Sequence, residues 1–210
     1  MTTVLVDYDS GNLHSAQKAF ERMALETDAG PVVVSSDADV VAKATRIVLP
    51  GDGAFPHCRE ELFGRTALAE AIIEAVTTRA VPFMGICVGM QMLATTGHEY
   101  TPTSGFGWID GDIRPISAPG MKIPHMGWND LVIDTPHPVL VGVKSGDHAY
   151  FVHSFAMEVT DPAHRLAHVD YAGDITAIVG RDNIIGMQFH PEKSQDTGLR
   201  MIGNFLRWAP

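Results

Sequence analysis

The chain has 210 residues, 45% of them hydrophobic and 19% charged, which is enough to bury a sizeable core and excludes intrinsic disorder and fibrous repeats. With 15 basic and 25 acidic residues the formal net charge is −10. No basic run or stripe appears, which argues against nucleic acid or an anionic membrane as a partner.

In chain order, Thr3–Asp7 reads as a short strand. Asn12–Leu25 reads as a helix, because Leu13, Ala16, Phe20 and Met23 recur at helical spacing. Val32–Ser35 is a second strand and Asp37–Ala44 a short helix. Arg46–Pro50 is a third strand that runs into the turn Gly51-Asp52-Gly53. Arg65–Arg79 is helical, Val81–Cys87 is a strand, and a helix is expected to start directly after Cys87. Continuous apolar strands separated by helices predict a parallel sheet covered on both faces.

From about Gly105 the pattern changes to short strands with turn residues between them, and Asp182-Asn183 marks a hairpin. This half is expected to be mostly antiparallel. A last helix, Asp196–Trp208, puts Leu199, Ile202 and Phe205 on one face. No linker, repeat or low-complexity segment intervenes. Residues 1–210 therefore read as one α/β domain: a central, largely parallel sheet flanked by helices, with an antiparallel annex in the C-terminal half. The most apolar stretch, Val81 to Ala94, contains Pro82, Gly85, Gly89 and Gln91 and is too short to span a bilayer. The N-terminus lacks the basic region of a signal peptide. Two cysteines make no disulfide framework, so a reducing cytoplasm is the expected compartment.

The strongest local signal is Gly85-Ile86-Cys87-Val88-Gly89, which has the form of a nucleophile elbow with Cys in place of Ser. An elbow holds its nucleophile on a sharp turn, and side chains two residues to either side would collide. At a helix start, unpaired backbone N–H groups favour the thiolate of Cys87, and the Val88 N–H is placed to donate to an oxyanion. The same residues also fit a glycine-rich turn around an inert buried cysteine, and alone they leave both readings open. A cysteine nucleophile needs a histidine base and a third group to orient it. Among ten histidines His190 stands out, because it ends an apolar strand and Glu192 follows two residues on. Taken alone, His190 is better read as a surface histidine beside a proline. Pro50-Gly51-Asp52-Gly53 follows another strand, where a loop can aim backbone N–H groups into the ligand crevice of an α/β protein. No Gly-Lys-Ser/Thr follows, so it is not a Walker loop. Cys58 also lies near the start of a helix, where a lowered pKa is possible in principle, but no base motif accompanies it. No His, Cys and Asp spacing suits a zinc site.

Pro50–Phe55, Gly85–Gln91 and Gln188–Ser194 occur in order after the right elements. Together they resemble a class I, triad-type glutamine amidotransferase over nearly the whole chain. Asp7–Leu13, Lys122–Asn129, Tyr150–Ser154 and His190–Gln195 resemble, within that class, the glutaminase subunits of imidazole glycerol phosphate synthases of histidine biosynthesis.

The resemblance implies a Cys87-His190-Glu192 triad acting on glutamine, with the oxyanion held by Gly51, Gly53 and Val88. It implies glutamine contacts at Gln91, Glu99, His153 and Ser154, and a partner face that includes Asn12, Lys122 and Trp128. By composition alone Trp128 and Tyr150 read as core aromatics. The implied partner is a (β/α)8-barrel cyclase subunit that receives the ammonia, and no cofactor or metal is implied. A chain of 210 residues has no room for such a barrel beside its own domain. Two departures from the family's pattern stand out: Asp52 where the family often has an apolar residue, commonly Val, and Asp9-Ser10-Gly11 in place of a more usual Gly-containing turn. The rival readings are the glutaminase of another synthase, a thiol hydrolase or peptidase on the same scaffold, and an inactive partner-binding module.

Overall fold

The structure, a computed structural model, describes residues 1–210. Its first half alternates strand and helix: β1 (Thr3–Val6), α1 (Leu13–Thr27), β2 (Val32–Ser35), α2 (Ala38–Ala42), β3 (Arg46–Gly51), α3 (Phe55–Gly64), α4 (Thr66–Thr77), β4 (Phe83–Cys87) and α5 (Val88–Gln91). The second half holds β5 (Thr96–Gly97), β6 (Thr103–Ser104), β7 (Gly111–Pro115), β8 (His125–Asp130), β9 (Val132–Ile133), β10 (His148–His153) and β11 (Phe155–Val159). It ends with β12 (Arg165–Asp170), β13 (Asp174–Arg181), β14 (Ile184–Met187) and α6 (Gln195–Arg207).

One eight-stranded sheet organises the molecule, in the order β2-β1-β3-β4-β14-β13-β12-β9. The first five strands run parallel, and β13, β12 and β9 continue the same sheet antiparallel. Every residue of β1, β3, β4 and β14 is buried, as the continuous apolar runs require of strands covered on both faces. The flanking helices pair α1 with α6 and α2 with α4. A four-stranded sheet, β11-β7-β5-β6, and a two-stranded one, β10-β8, form the annex. The annex is not purely antiparallel, because β5 and β7 pair in parallel. No helix is long and apolar enough to cross a membrane.

Local chemistry explains most boundaries. Asn12 caps α1 by accepting from the Ser15 N–H, and Asp37 caps α2 by accepting from the Asp39 N–H. The β13–β14 hairpin turns at Asp182-Asn183, with Asp182 at φ 52°. The stretch before Arg65, where the sequence set Cys58 near a helix start without bounds, is α3, with Pro56 in its first turn. Its Phe55 N–H is capped from a distance by the Glu99 carboxylate, at 2.7 Å.

Candidate active site

Strand register brings the site together. In the parallel β3–β4 pair Gly51 lies beside Cys87, and in the β4–β14 pair Ile86 lies beside Met187. The carboxyl ends of three adjacent strands therefore meet, each about 4.8 Å from the next. Cys87 ends β4 at φ 55°, ψ −114°, a conformation that side chains rarely adopt. The elbow closes only because its neighbours lack side chains. A Cβ on Gly85 would sit 2.5 Å from the Gly89 carbonyl oxygen, and one on Gly89 would overlap the carbonyl oxygen of Leu49. The following helix, α5, is a single turn of four residues.

His190 stands three residues past β14, and its backbone is clamped. Its N–H donates to the Tyr150 carbonyl at 3.1 Å, and its own carbonyl accepts from Ser194 Oγ at 2.7 Å. Its Nδ1 pairs with Glu192 Oε1 at 2.9 Å, in surroundings where both side chains are almost fully buried. Burial pushes the imidazole pKa down, but hydrogen bonds to Cys87 and Glu192, and the charges of the same two groups, outweigh it and raise the value to about 9. With Nδ1 donating to Glu192, the other ring nitrogen is the one that faces Cys87.

A cleft of about 260 Å³ opens over Cys87. Of the residues singled out from the sequence, Asp52, Gly53, Cys87, Val88, Gln91, Glu99, His153 and Ser154 line it. Gly51, His190 and the Glu192 side chain are buried and do not line it. Asn12, Lys122 and Trp128 are outside it and exposed. Trp128 is 48% exposed and packs edge-on to Tyr150, so it is not the core aromatic that composition suggests. Met121, Ile123 and Met126 are exposed too and, with Lys122, line a second depression that shares Pro124 with the cleft.

The glycine loop is held from behind. Tyr8 donates its hydroxyl to the Pro50 carbonyl at 2.7 Å. The Ser10 hydroxyl donates to the Asp52 carbonyl at 2.9 Å and accepts from the Asp52 N–H at 3.2 Å. The Cys58 thiol reaches the same carbonyl at 3.2 Å. The Asp52 N–H is thus turned towards Ser10, while the Asp52 residue itself is exposed. Burial pushes the Cys58 thiol pKa up, although hydrogen bonds from its neighbours oppose this, so the lowering admitted from its position in a helix does not occur. Asp9 stands at φ 63° and pairs with Arg65.

From His153 and Phe155 in the cleft lining runs a hydrogen-bond chain that the sequence did not single out. The Phe155 carbonyl can only accept, so His153 Nδ1, at 2.9 Å, must donate to it. His153 Nε2 then accepts from His125 Nδ1 at 2.9 Å, and His125 Nε2 accepts from Asn129 Nδ2 at 3.2 Å. The His125 ring is stacked between Phe151 and Tyr171. Burial pushes the pKa of both histidines down to about 4. The same Phe155 carbonyl accepts from Gln91 Nε2 at 3.3 Å.

A cysteine on a strand–helix elbow, backed by a histidine–carboxylate pair and facing a cleft, is the arrangement that a triad amidotransferase uses. The family model for glutamine amidotransferase class-I matches residues 4–208, and the chain belongs to that family. Two curated relatives bear the name imidazole glycerol phosphate synthase subunit HisH. The one from Cereibacter sphaeroides is 66% identical and the one from Ruegeria pomeroyi 62%, each over the full length of both chains, which places this chain among the HisH proteins. Among solved structures, one described as a glutamine amidotransferase matches with a TM-score of 0.74 at 17% identity, covering 98% of this chain and 99% of its own. Another, a glutamine amidotransferase from Thermotoga maritima, matches with a TM-score of 0.63 at 14% identity, covering 91% of this chain and 76% of its own. These two share the fold.

Proposed function

We propose that the chain, acting as one domain over residues 1–210, is the glutaminase subunit of an imidazole glycerol phosphate synthase in the cytoplasm. The observation that carries the reading is Cys87 on the cleft, with the buried His190–Glu192 pair behind it. The Cys87 thiolate attacks the side-chain amide carbon of glutamine. The Val88 N–H and the Gly51–Gly53 loop stabilise the oxyanion. His190, charged at neutral pH, gives its proton to the departing nitrogen, and ammonia leaves a glutamyl thioester. His190 then takes a proton from water, the hydroxide adds to the thioester, and collapse returns the thiolate and releases glutamate. Glu192 fixes the imidazole tautomer throughout. Gln91, Glu99, His153 and Ser154 are assigned to the glutamine.

Ammonia in bulk water would mostly protonate and lose its nucleophilicity, so a closed route to a second site preserves it. We assign that site to a (β/α)8-barrel cyclase subunit docked on the exposed face that carries Asn12, Lys122 and Trp128. The apolar strip of Met121, Ile123 and Met126 supports that assignment. Activation follows from the loop. With its N–H on Ser10, Asp52 offers no donor to the cleft, and a turn of the 51–52 peptide would provide one. The isolated chain should therefore be a weak glutaminase. Ammonia release from glutamine, measured with and without a co-purified cyclase subunit, tests the reading: release that rises with the partner is expected, and none in either state overturns it.

A further inference from the structure

One buried side chain touches the nucleophile and has no part in the mechanism above. Continuing the β4–β14 register by one residue sets Gln188 beside Cys87, 101 residues away in sequence. Gln188 has no exposed surface, and its Nε2 lies 3.8 Å from Cys87 Sγ, within the reach of a hydrogen bond to sulfur.

The orientation of this amide is not free. The Phe155 carbonyl is an acceptor, so Gln91 must present its NH2 group there. The same NH2 group lies 3.1 Å from the Gln188 side chain, which must therefore offer its carbonyl oxygen to Gln91. That leaves the Gln188 NH2 group directed at the sulfur. Turning the amide over would set two NH2 groups against each other at Gln91 and a carbonyl oxygen against a thiolate. The polarity of the chain from Phe155 through Gln91 to Gln188 is fixed by the backbone and ends as a donor on Cys87.

We infer that Gln188 is a further catalytic residue, whose side-chain amide donates a hydrogen bond to the Cys87 sulfur and stabilises its charged form before attack and again when the thioester collapses. This rests on the glutaminase reading. A donor is worth more to an anionic sulfur than to a neutral one, so the contact favours the nucleophilic state. The other titratable groups that act on this sulfur are His190, with Glu192 behind it, and, more distantly, Cys58 and Tyr8. Gln188→Met leaves their charges as they are, whereas Gln188→Glu adds one.

Gln188→Glu separates this role from a merely structural one. A carboxylate keeps the shape and still accepts from Gln91, but it faces the sulfur with an oxygen. Gln188→Met removes both contacts and serves as the second variant. The measurement is the rate at which iodoacetamide modifies Cys87 in the full chain across pH, mapped by mass spectrometry, with buried Cys58 as the report that the fold is intact. In both variants modification at pH 7 should slow about tenfold and the midpoint of its pH profile should rise by about one unit. In the complex with the cyclase subunit, Gln188→Glu should lower kcat about tenfold and leave KM for glutamine within about threefold, as expected of a group that acts on the reacting atom. Profiles that superimpose on the wild type, or a loss confined to KM, would overturn the inference. A wild-type Cys87 that reacts no faster than Cys58 would instead defeat the glutaminase reading itself.

Discussion

His153 lines the cleft and His190 does not, yet they are almost equally hidden, at 6% and 4% exposed. Burial acts on both in the same direction, yet one is raised to about 9 and the other lowered to about 4. Partners decide the difference. His190 faces a thiol and a carboxylate, which reward a positive charge. His153 faces a carbonyl and a second imidazole, which a neutral ring already satisfies, and the nearby charges of His125 and His190 oppose protonation. Burial amplifies whatever the neighbours ask for and does not choose the sign. The two cysteines also differ in their partners. Cys87 meets a histidine and an amide donor, whereas Cys58 is packed behind the loop with its thiol pushed up.

The sharpest way to break this contrast is to remove the proposed nucleophile. Cys87→Ala should lower glutamine-dependent synthesis by about four orders of magnitude or more, while synthesis from free ammonia persists. Cys58→Ala should leave the fully activated rate within about threefold, since no reacting atom touches Cys58. A glutamine-analogue electrophile should label Cys87 and spare Cys58, as peptide mapping would report, and substantial glutaminase activity in Cys87→Ala would refute the assignment. Next in size, His190→Asn should cost on the order of a hundredfold or more in rate, and more than replacement of any other single histidine. Glu192→Gln should cost less, because an amide still orients the ring. A rate profile that keeps its low-pH limb in His190→Asn would identify another base.

Asp52→Val should leave the activated rate within about tenfold, equivalent to about 1.4 kcal/mol of barrier, because the loop acts through its backbone. A collapse of the activated rate would show the carboxylate to be engaged in the chemistry. The smallest effect concerns stability. His125 and His153 have folded values below the ordinary one of 6.5, so the stability they contribute is complete above that pH and lost as pH falls towards about 4. The melting temperature should decline over that window, more steeply than in a His125→Gln variant, and parallel curves for the two proteins would count against the neutral chain.

Much of this was legible because it is local. The continuous apolar strands announced the parallel half, and the two glycine-flanked motifs and His-Pro-Glu located the candidate triad. What escaped notice depends on residues far apart in sequence. Helix α3 is capped by Glu99 from 44 residues away. The parallel β5–β7 pair hides among hairpins, and the Asn129–His125–His153 chain needs β8, β10 and β11 in place. Gln188 was visible inside a motif, but only the pairing of β14 with β4 turns it into a neighbour of Cys87. Trp128 looked like core because composition cannot tell which aromatic side chains a fold leaves uncovered.

The backbone of Cys87 carries one more consequence. A side chain held at φ 55°, ψ −114° costs about 1–3 kcal/mol, and this penalty belongs to the Cβ rather than to the sulfur. Glycine alone is at ease there, offset by about 0.5–1 kcal/mol of extra chain entropy. Two inactive proteins should therefore differ in heat resistance. Cys87→Gly should melt a few degrees above Cys87→Ala, on the order of 2–4 °C for a chain of this size. The proposed nucleophile is mounted where its own backbone would rather have no side chain, and thermal tolerance is what the protein forgoes to keep it there.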